Sequence, residues 1–582
     1  MRRVGVFICG CGKSISGAVD PKIITDYALG LEGVKCAQEF DFFCSKDGQD
    51  ILRKRIFGYD LERVVLAGCD PKRYEGDFKR TLRHAKLEPN YLSIVDIKGE
   101  CMPSENGRVE EKIKALIKEA VADISGRELV KKKVVSKDVL VIGAGIAGMQ
   151  ASLDLADAGF KVYLVERDPS IGGNMTKVVK TFPTDDCAMC TISPKMNDTL
   201  AHANIELHTY SEVKELKGEV GNFEVEIIKH PRFINEEKCV GCGACWAKCP
   251  GKTSDEYNQG LGKRTAIYIP FSNAIPKIPV IDEKVCLYLT KGRPKGKNIC
   301  RICEKECPAE AIEFDQKEES LKIQVGAVLV ATGFKEYDPT PKQNLGYGRY
   351  PNVVTQLQLA RMIDPNGPTD GKITRPSDKE TAKKIVMLQC VGSRDDQPGG
   401  HPYCSRVCCM FAIKHANLIK RAIVEDAKIT ICYMDIRAFG KGYEEYYKRA
   451  QELGIRFLRA RAAEIQEKDN KDLLVRMENT LTQEVRELPA DLVVLSAATE
   501  PSEGLESLAG LLEIDLDENG FIKEAHPKLR PCDTSREGVF VCGSAQGPKD
   551  IPDGVAMASG AAARIEEALL GERYEKLIAH SS

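Results

Sequence analysis

Short apolar runs alternate with amphipathic segments through the first part of the chain. Val4–Ile8, Val34–Phe43, Arg63–Ala67 and Tyr91–Ile97 have the length and β-branched content of strands, while apolar residues recur at helical spacing near Ile23–Leu31, Gln49–Ile56, Asp77–Ala85 and Arg108–Ile124. This alternation predicts a small doubly wound α/β domain over residues 1–132. Further along, Val139–Ile142, Val162–Val165 and Ala327–Ala331 are continuous apolar runs, the pattern of strands buried on both faces. None approaches the roughly 20 residues needed to cross a bilayer, so no membrane span is expected.

The run at Val139 leads into Gly143-Ala-Gly145-Ile-Ala-Gly148 and a helical pattern, and the next strand ends at Glu166. This is a dinucleotide fingerprint in its required context. The glycines let a pyrophosphate approach a helix N-terminus, and the acid can accept from a ribose hydroxyl. Gly172-Gly173 follows, as in flavoproteins that bind two dinucleotides. Two distant apolar strands also end at glycine, Ala327–Ala331 before Thr332-Gly333 and Val539–Cys542 before Gly543, as expected of chain returns to a flavin. Lys384–Gln389 occupies the place of a second, nicotinamide-binding strand, but the turn after it holds Cys390-Val-Gly392-Ser instead of a glycine fingerprint.

At 582 residues the chain is too long for one core, and its net charge of −2 and low aromatic content argue against a nucleic-acid partner. Met1-Arg2-Arg3 opens what is expected to be a strand, not an export signal. Cysteine changes the picture most. Cys239-x2-Cys242-x2-Cys245-x3-Cys249-Pro and Cys286…Cys300-x2-Cys303-x3-Cys307-Pro have the spacing of a bacterial ferredoxin with two [4Fe–4S] clusters, in which the fourth cysteine of each run serves the other cluster. The expected quartets are therefore Cys239, Cys242, Cys245 and Cys307, and Cys249, Cys286, Cys300 and Cys303. The long gap between Cys286 and Cys300 departs from the compact pattern.

Three further groups of cysteines stand apart from this pair. Cys11, Cys44, Cys69 and Cys101, with Cys9 in reserve, lie just past strand ends in the N-terminal domain, at the edge where open α/β sheets bind ligands. Cys390, Cys404, Cys408 and Cys409 would form either another cluster or a vicinal thiol pair in a packed helix, Cys404 and Cys408 sharing a face if their turn is helical. Cys187-x2-Cys190 is open between a redox dithiol, cluster ligands and a structural pair. In a signal-free chain these cysteines fit a reducing, cytoplasmic setting.

The combination resembles the A-type subunit of heterodisulfide reductase. The resemblance rests on Cys9-Gly-Cys11-Gly12, Cys44-Ser45, Ala67-Gly-Cys69, the Gly143 fingerprint, Thr181-Phe-Pro-Thr through Pro194-Lys195-Met196, the ferredoxin insertion, Cys404 to Cys409, Tyr433 to Gly442, and Gly543 through Lys549-Asp550 to Asp553. It implies FAD in a two-dinucleotide-binding, thioredoxin-reductase-like α/β core, a [4Fe–4S] cluster on Cys390, Cys404, Cys408 and Cys409, and a fourth in the N-terminal domain. It also places Lys414 and Lys549 near the flavin, where a cation stabilises its reduced anion. Ser544 replaces the acid that related flavoproteins carry after this glycine.

The expected order is an iron–sulfur domain at 1–132, FAD-binding parts at 133–230, 317–382 and 501–582, an inserted ferredoxin at 231–316, and a nicotinamide-domain-like region at 383–500. Longer family members append another ferredoxin domain, which a partner would have to supply here. The family implies an electron-bifurcating role in a dimeric multisubunit complex. Its partners would be B- and C-type subunits, ferredoxin, and an electron-input subunit linked to hydrogenase, formate dehydrogenase or NADH. A self-sufficient NAD(P)H-dependent flavin–ferredoxin oxidoreductase is the alternative enzyme, and a non-catalytic electron wire the alternative scaffold.

Overall fold

The computed structural model describes residues 3–68, 71–85, 87, 91–99, 101, 109–126, 136–297 and 299–570. These fall into two compact units, one within residues 1–132 and one within residues 133–573.

In the first unit, four parallel strands lie in the order Val34–Phe40, Val4–Cys9, Arg63–Gly68, Leu92–Asp96. Helices Pro21–Leu29, Lys46–Gly58, Pro71–His84 and Val109–Gly126 alternate with them. The two central strands are buried along their whole length, apolar except for Arg63, whose Nε donates to the Ile124 carbonyl at 2.9 Å.

The second unit is built on two seven-stranded sheets. In the first, Val539–Val541, Ala327–Val330, Val139–Ile142, Val162–Glu166 and Ile205–Thr209 run parallel in that order, with an antiparallel pair, Glu524–His526 and Arg530–Thr534, at one edge. Strands distant in sequence thus deliver Gly143, Thr332-Gly333 and Gly543 to one sheet edge. In the second sheet, Val353–Thr355, Leu492–Ala497, Lys384–Val391, Lys428–Tyr433 and Arg456–Glu467 are parallel, and Leu473–Asn479 and Glu484–Ala490 complete it antiparallel.

The ferredoxin-like segment leaves and re-enters through a pair of antiparallel strands. Asn222–Lys229 pairs with Glu319–Val325, and Lys229 faces Glu319, so both ends of the insertion lie side by side. Arg232, almost wholly buried, ties the segment down by donating to the Pro169 carbonyl at 2.7 Å and to Thr209 Oγ1 at 2.6 Å.

Two helix starts bear on the site. The last helix begins at Ile551. Pro552 falls in its first turn, where a missing N–H costs nothing, and Asp550 Oδ1 accepts from the Asp553 amide at 3.0 Å. The helix after Cys404 begins only at Cys408. Arg406 takes φ +62°, so the turn is not helical and the shared face expected for Cys404 and Cys408 does not form.

Candidate functional site

A cavity of about 950 Å³ opens where the glycine-ended strands converge. Gly143 takes φ +100°, which favours glycine, and its carbonyl oxygen fills the place where a Gly148 Cβ would stand. Gly148 therefore lets the following helix, Ile146–Asp157, press against the turn. Gly145 is the N-cap of that helix, and a Cβ there would meet no atom within 4 Å. The helix N-terminus consequently faces open space, the arrangement that receives a pyrophosphate.

Glu166 braces the same turn. One carboxylate oxygen accepts from the Ala144 amide at 2.7 Å and the other from the Asp168 amide at 2.9 Å. Burial, with the Asp168 carboxylate nearby, pushes the Glu166 carboxyl up to about 7. Thr332 lines the cavity with a buried Oγ1 that has no hydrogen-bond partner among the described residues, a polar atom awaiting one from a ligand. Volume, the open helix terminus and this orphaned hydroxyl together fit a dinucleotide cofactor.

The candidate residues divide by position. Gly143, Gly145, Glu166, Gly173, Thr332 and Gly333 line the cavity, as do Gly543, Lys549 and Asp550. Gly148 and Gly172 stand one layer back, Gly172 donating its amide to the Ala144 carbonyl at 2.8 Å. Asp550 is already engaged by the Tyr443 hydroxyl at 2.8 Å. Lys414 is fully enclosed behind the wall and donates to the Lys180 carbonyl at 3.1 Å. Cys187 and Cys190 are joined by a disulfide at the start of helix Ala188–Ala201, and Cys187 pairs across a short hairpin with Lys180, another wall residue.

Glu336 and Lys177 also line the cavity, and sequence reasoning missed both. Glu336 accepts from Thr355 Oγ1 at 2.7 Å and from the Leu357 amide at 3.2 Å, and burial pushes its carboxyl up to about 7. The only local signal was an acid three residues beyond Gly333.

Two smaller pockets lie in the ferredoxin-like segment. One is lined by Cys239, Cys242, Cys245 and Cys307, the other by Cys249, Cys286, Cys300 and Cys303. Burial raises the thiols of Cys245 and Cys303 to about 12, and neighbouring cysteines within each quartet add to the rise. Converging thiols whose most buried members resist ionisation alone suit a cationic iron core, which would compensate their charge.

The third quartet converges at the end of strand Lys384–Val391. Cys390, Cys404 and Cys409 each raise the proton affinity of the buried Cys408, so the four sulfurs are neighbours. The Cys408 thiol donates to Cys409, which brings Cys409 down to about 7. Cys408 also lines the large cavity, so the quartet adjoins the dinucleotide site. In the N-terminal unit, Cys9 Sγ lies 3.5 Å from Cys11 Sγ, and Cys11 adopts φ +46°. Cys44 and Cys101 follow the ends of strands in the same sheet, while Cys69 lies outside the described residues.

A dinucleotide cavity beside a cysteine quartet, in a chain with two further quartets of ferredoxin spacing, defines a flavin iron–sulfur oxidoreductase. Residues 138–230 match the FAD-dependent oxidoreductase family and residues 232–252 the 4Fe-4S binding domain. The chain is 48% identical to the A-type iron–sulfur subunit of the CoB--CoM heterodisulfide reductase of Methanocaldococcus jannaschii, over 97% of this chain and 85% of that protein. It is also 48% identical to the A-type subunit of the H(2)/formate:CoB-CoM heterodisulfide,ferredoxin reductase of Methanococcus maripaludis, with the same coverage of each. Thioredoxin reductase of T. acidophilum is similar at 14% identity and a TM-score of 0.41, over 75% of this chain and 98% of that one. The chain belongs to the family of A-type iron–sulfur subunits of heterodisulfide reductase. It carries electrons through FAD and iron–sulfur centres and works together with partner subunits. Among the described residues, no helix is long and apolar enough to cross a membrane.

Proposed function

We propose that this chain is the electron hub of a cytoplasmic heterodisulfide-reductase-type complex, receiving electron pairs and releasing them singly along two routes of different potential. One observation carries the reading: Cys408, one of four clustered thiols, forms part of the wall of the dinucleotide cavity. A two-electron site and a one-electron site therefore share a boundary. When bound, FAD supplies the exchange between electron pairs and single electrons.

The chain's own residues hold and tune that exchange. Gly143, Gly145 and the N-terminus of helix Ile146–Asp157 receive the pyrophosphate, and Glu166 fixes the turn while facing the ribose. Lys549 brings a cation to the cavity wall, and Glu336 can hold a proton there near neutral pH. Cys390, Cys404, Cys408 and Cys409 hold one cluster, the two ferredoxin-like quartets hold one each, and Cys11, Cys44, Cys69 and Cys101 hold a fourth. Partners would be B- and C-type subunits, ferredoxin, and an electron-input subunit linked to hydrogenase, formate dehydrogenase or NADH. The relatives' names, which include H(2)/formate and ferredoxin, support that assignment.

The test is photoreduction of the FAD- and iron-replete chain, followed by electron paramagnetic resonance. Flavin and clusters should reduce together, and Cys408→Ser should remove one cluster signal while slowing redistribution from flavin to the rest. Unchanged cluster signals and redistribution in that variant would overturn the shared-boundary reading.

A further inference from the structure

The segment between Cys286 and Cys300 is longer than ferredoxin ligand spacing requires. From Leu287 to Arg301 it carries Lys291, Arg293, Lys295, Lys297 and Arg301 and no acidic residue. It is nonetheless well anchored. Tyr288–Gly292 and Arg293–Lys295 form helical turns, and the Tyr288 ring packs 4.5 Å from Phe314 between centroids. The Arg301 guanidinium covers Tyr288 at 5.1 Å, and Arg293 donates to the Phe314 carbonyl at 2.9 Å.

The two sides of this loop differ. Leu287, Tyr288 and Arg301 line the pocket that also contains Cys249, Cys286, Cys300 and Cys303. On the outer side Lys291, Lys295 and Lys297 are exposed, and among the described residues none of their ammonium groups has an ion-pair partner within 4.0 Å. Other cations near the two pockets are paired: Arg293 with Asp315 at 3.5 Å, Arg301 with Glu304, and Lys248 with Glu306 at 2.8 Å. A solvated charge run is the usual fate of surface lysines. Here the three lysines are held on a packed loop whose inner side lines a redox pocket, and they repel one another with no acidic partner among the described residues. An acidic protein surface would relieve that repulsion and steer its own approach.

We propose that the outer side of the Leu287–Lys297 loop docks an acidic electron-transfer protein of ferredoxin type. This rests on the reading that the adjoining quartet holds iron. In the step served, one electron leaves that reduced cluster and enters the oxidised cluster of the docked protein, with no bond made or broken and no proton moved. The site thus joins a cluster's exit to the charge of its acceptor.

The test uses the full chain with its FAD and iron, an acidic bacterial-type [4Fe–4S] ferredoxin as probe, and basic cytochrome c as control. Calorimetry should show ferredoxin binding that weakens as salt rises. Lys291→Glu, Lys295→Glu and Lys297→Glu together should lower affinity and second-order electron-transfer rate by about tenfold or more at low salt. The corresponding glutamine variant should fall between the two, and the charge-reversed variant should react faster with cytochrome c. Iron and FAD content should be unchanged. Ferredoxin affinity and rate unaffected by charge reversal would overturn the docking surface. Missing iron in this quartet of the parent chain would instead defeat the cluster reading, and calorimetry separates the two failures because binding is measured without electron transfer.

Discussion

The Lys414 ammonium, enclosed on every side, donates to the carbonyl oxygen of Lys180 at 3.1 Å, and Lys180 lines the flavin-sized cavity. Lys414 thus acts on the cavity through its wall. Burial brings it down to about 7, with Asp185 opposing the shift. In the unfolded chain a lysine titrates near 10.4, so between that value and about 7 the unfolded state binds more protons. Stability therefore falls as pH drops through this window and levels off below it. Lys414→Met should be more stable than the parent at pH 7. The advantage should reach roughly 3 kcal/mol, from about 1.4 kcal/mol for each pH step across that window less about 1 for the lost hydrogen bond. Anaerobic urea unfolding at pH 7 and near pH 10 checks this, since the gap should be smaller at the higher pH.

Gly145→Asp should expel FAD and leave the ferredoxin-like iron in place. Gly145 has φ −76°, a conformation any residue adopts, and a side chain there enters open cavity, so the backbone survives while a negative charge occupies the pyrophosphate position. The inserted segment has its own cysteine framework. Normal flavin absorbance in the purified variant would show that the fingerprint is misassigned.

Anaerobically prepared protein should hold about 16 irons per chain, from four cubanes, and one non-covalent FAD. Iron and flavin analysis measures this directly. A value near eight with full flavin would leave the two ferredoxin-like quartets as the sole clusters and remove both others.

The isolated chain should not oxidise NADH or NADPH. Strand Lys384–Val391 carries Cys390 at φ +60° just before its last residue, and a Cβ at Gly392 would stand 2.5 Å from the Tyr337 ring, which fills the space above the turn. The next helix starts at Cys408, presenting thiols where a nicotinamide domain presents free amides. Anaerobic mixing with each nucleotide, followed at the flavin absorption maximum, is the measurement. Fast and saturable bleaching would favour a self-sufficient oxidoreductase.

Much of this was legible in the chain itself, because local chemistry imposed it. Strand and helix periods set the α/β class, and the glycines at 143, 145 and 148 needed only the adjacent strand and helix to signal a dinucleotide turn. Ferredoxin spacing told which cysteines could share a pocket, since three thiols on one turn leave few other geometries. Tertiary structure alone decided which residues meet across long separations. Glu336 became a cavity residue by reaching the Thr355 hydroxyl and the Leu357 amide, and Cys408 by joining the wall of the cavity that Gly143 also lines. Lys414 ended behind the wall instead of in it, because its helix buries that face against the Lys180 hairpin. Periodicity reports which face of an element is buried, and only packing reports what that face is buried against.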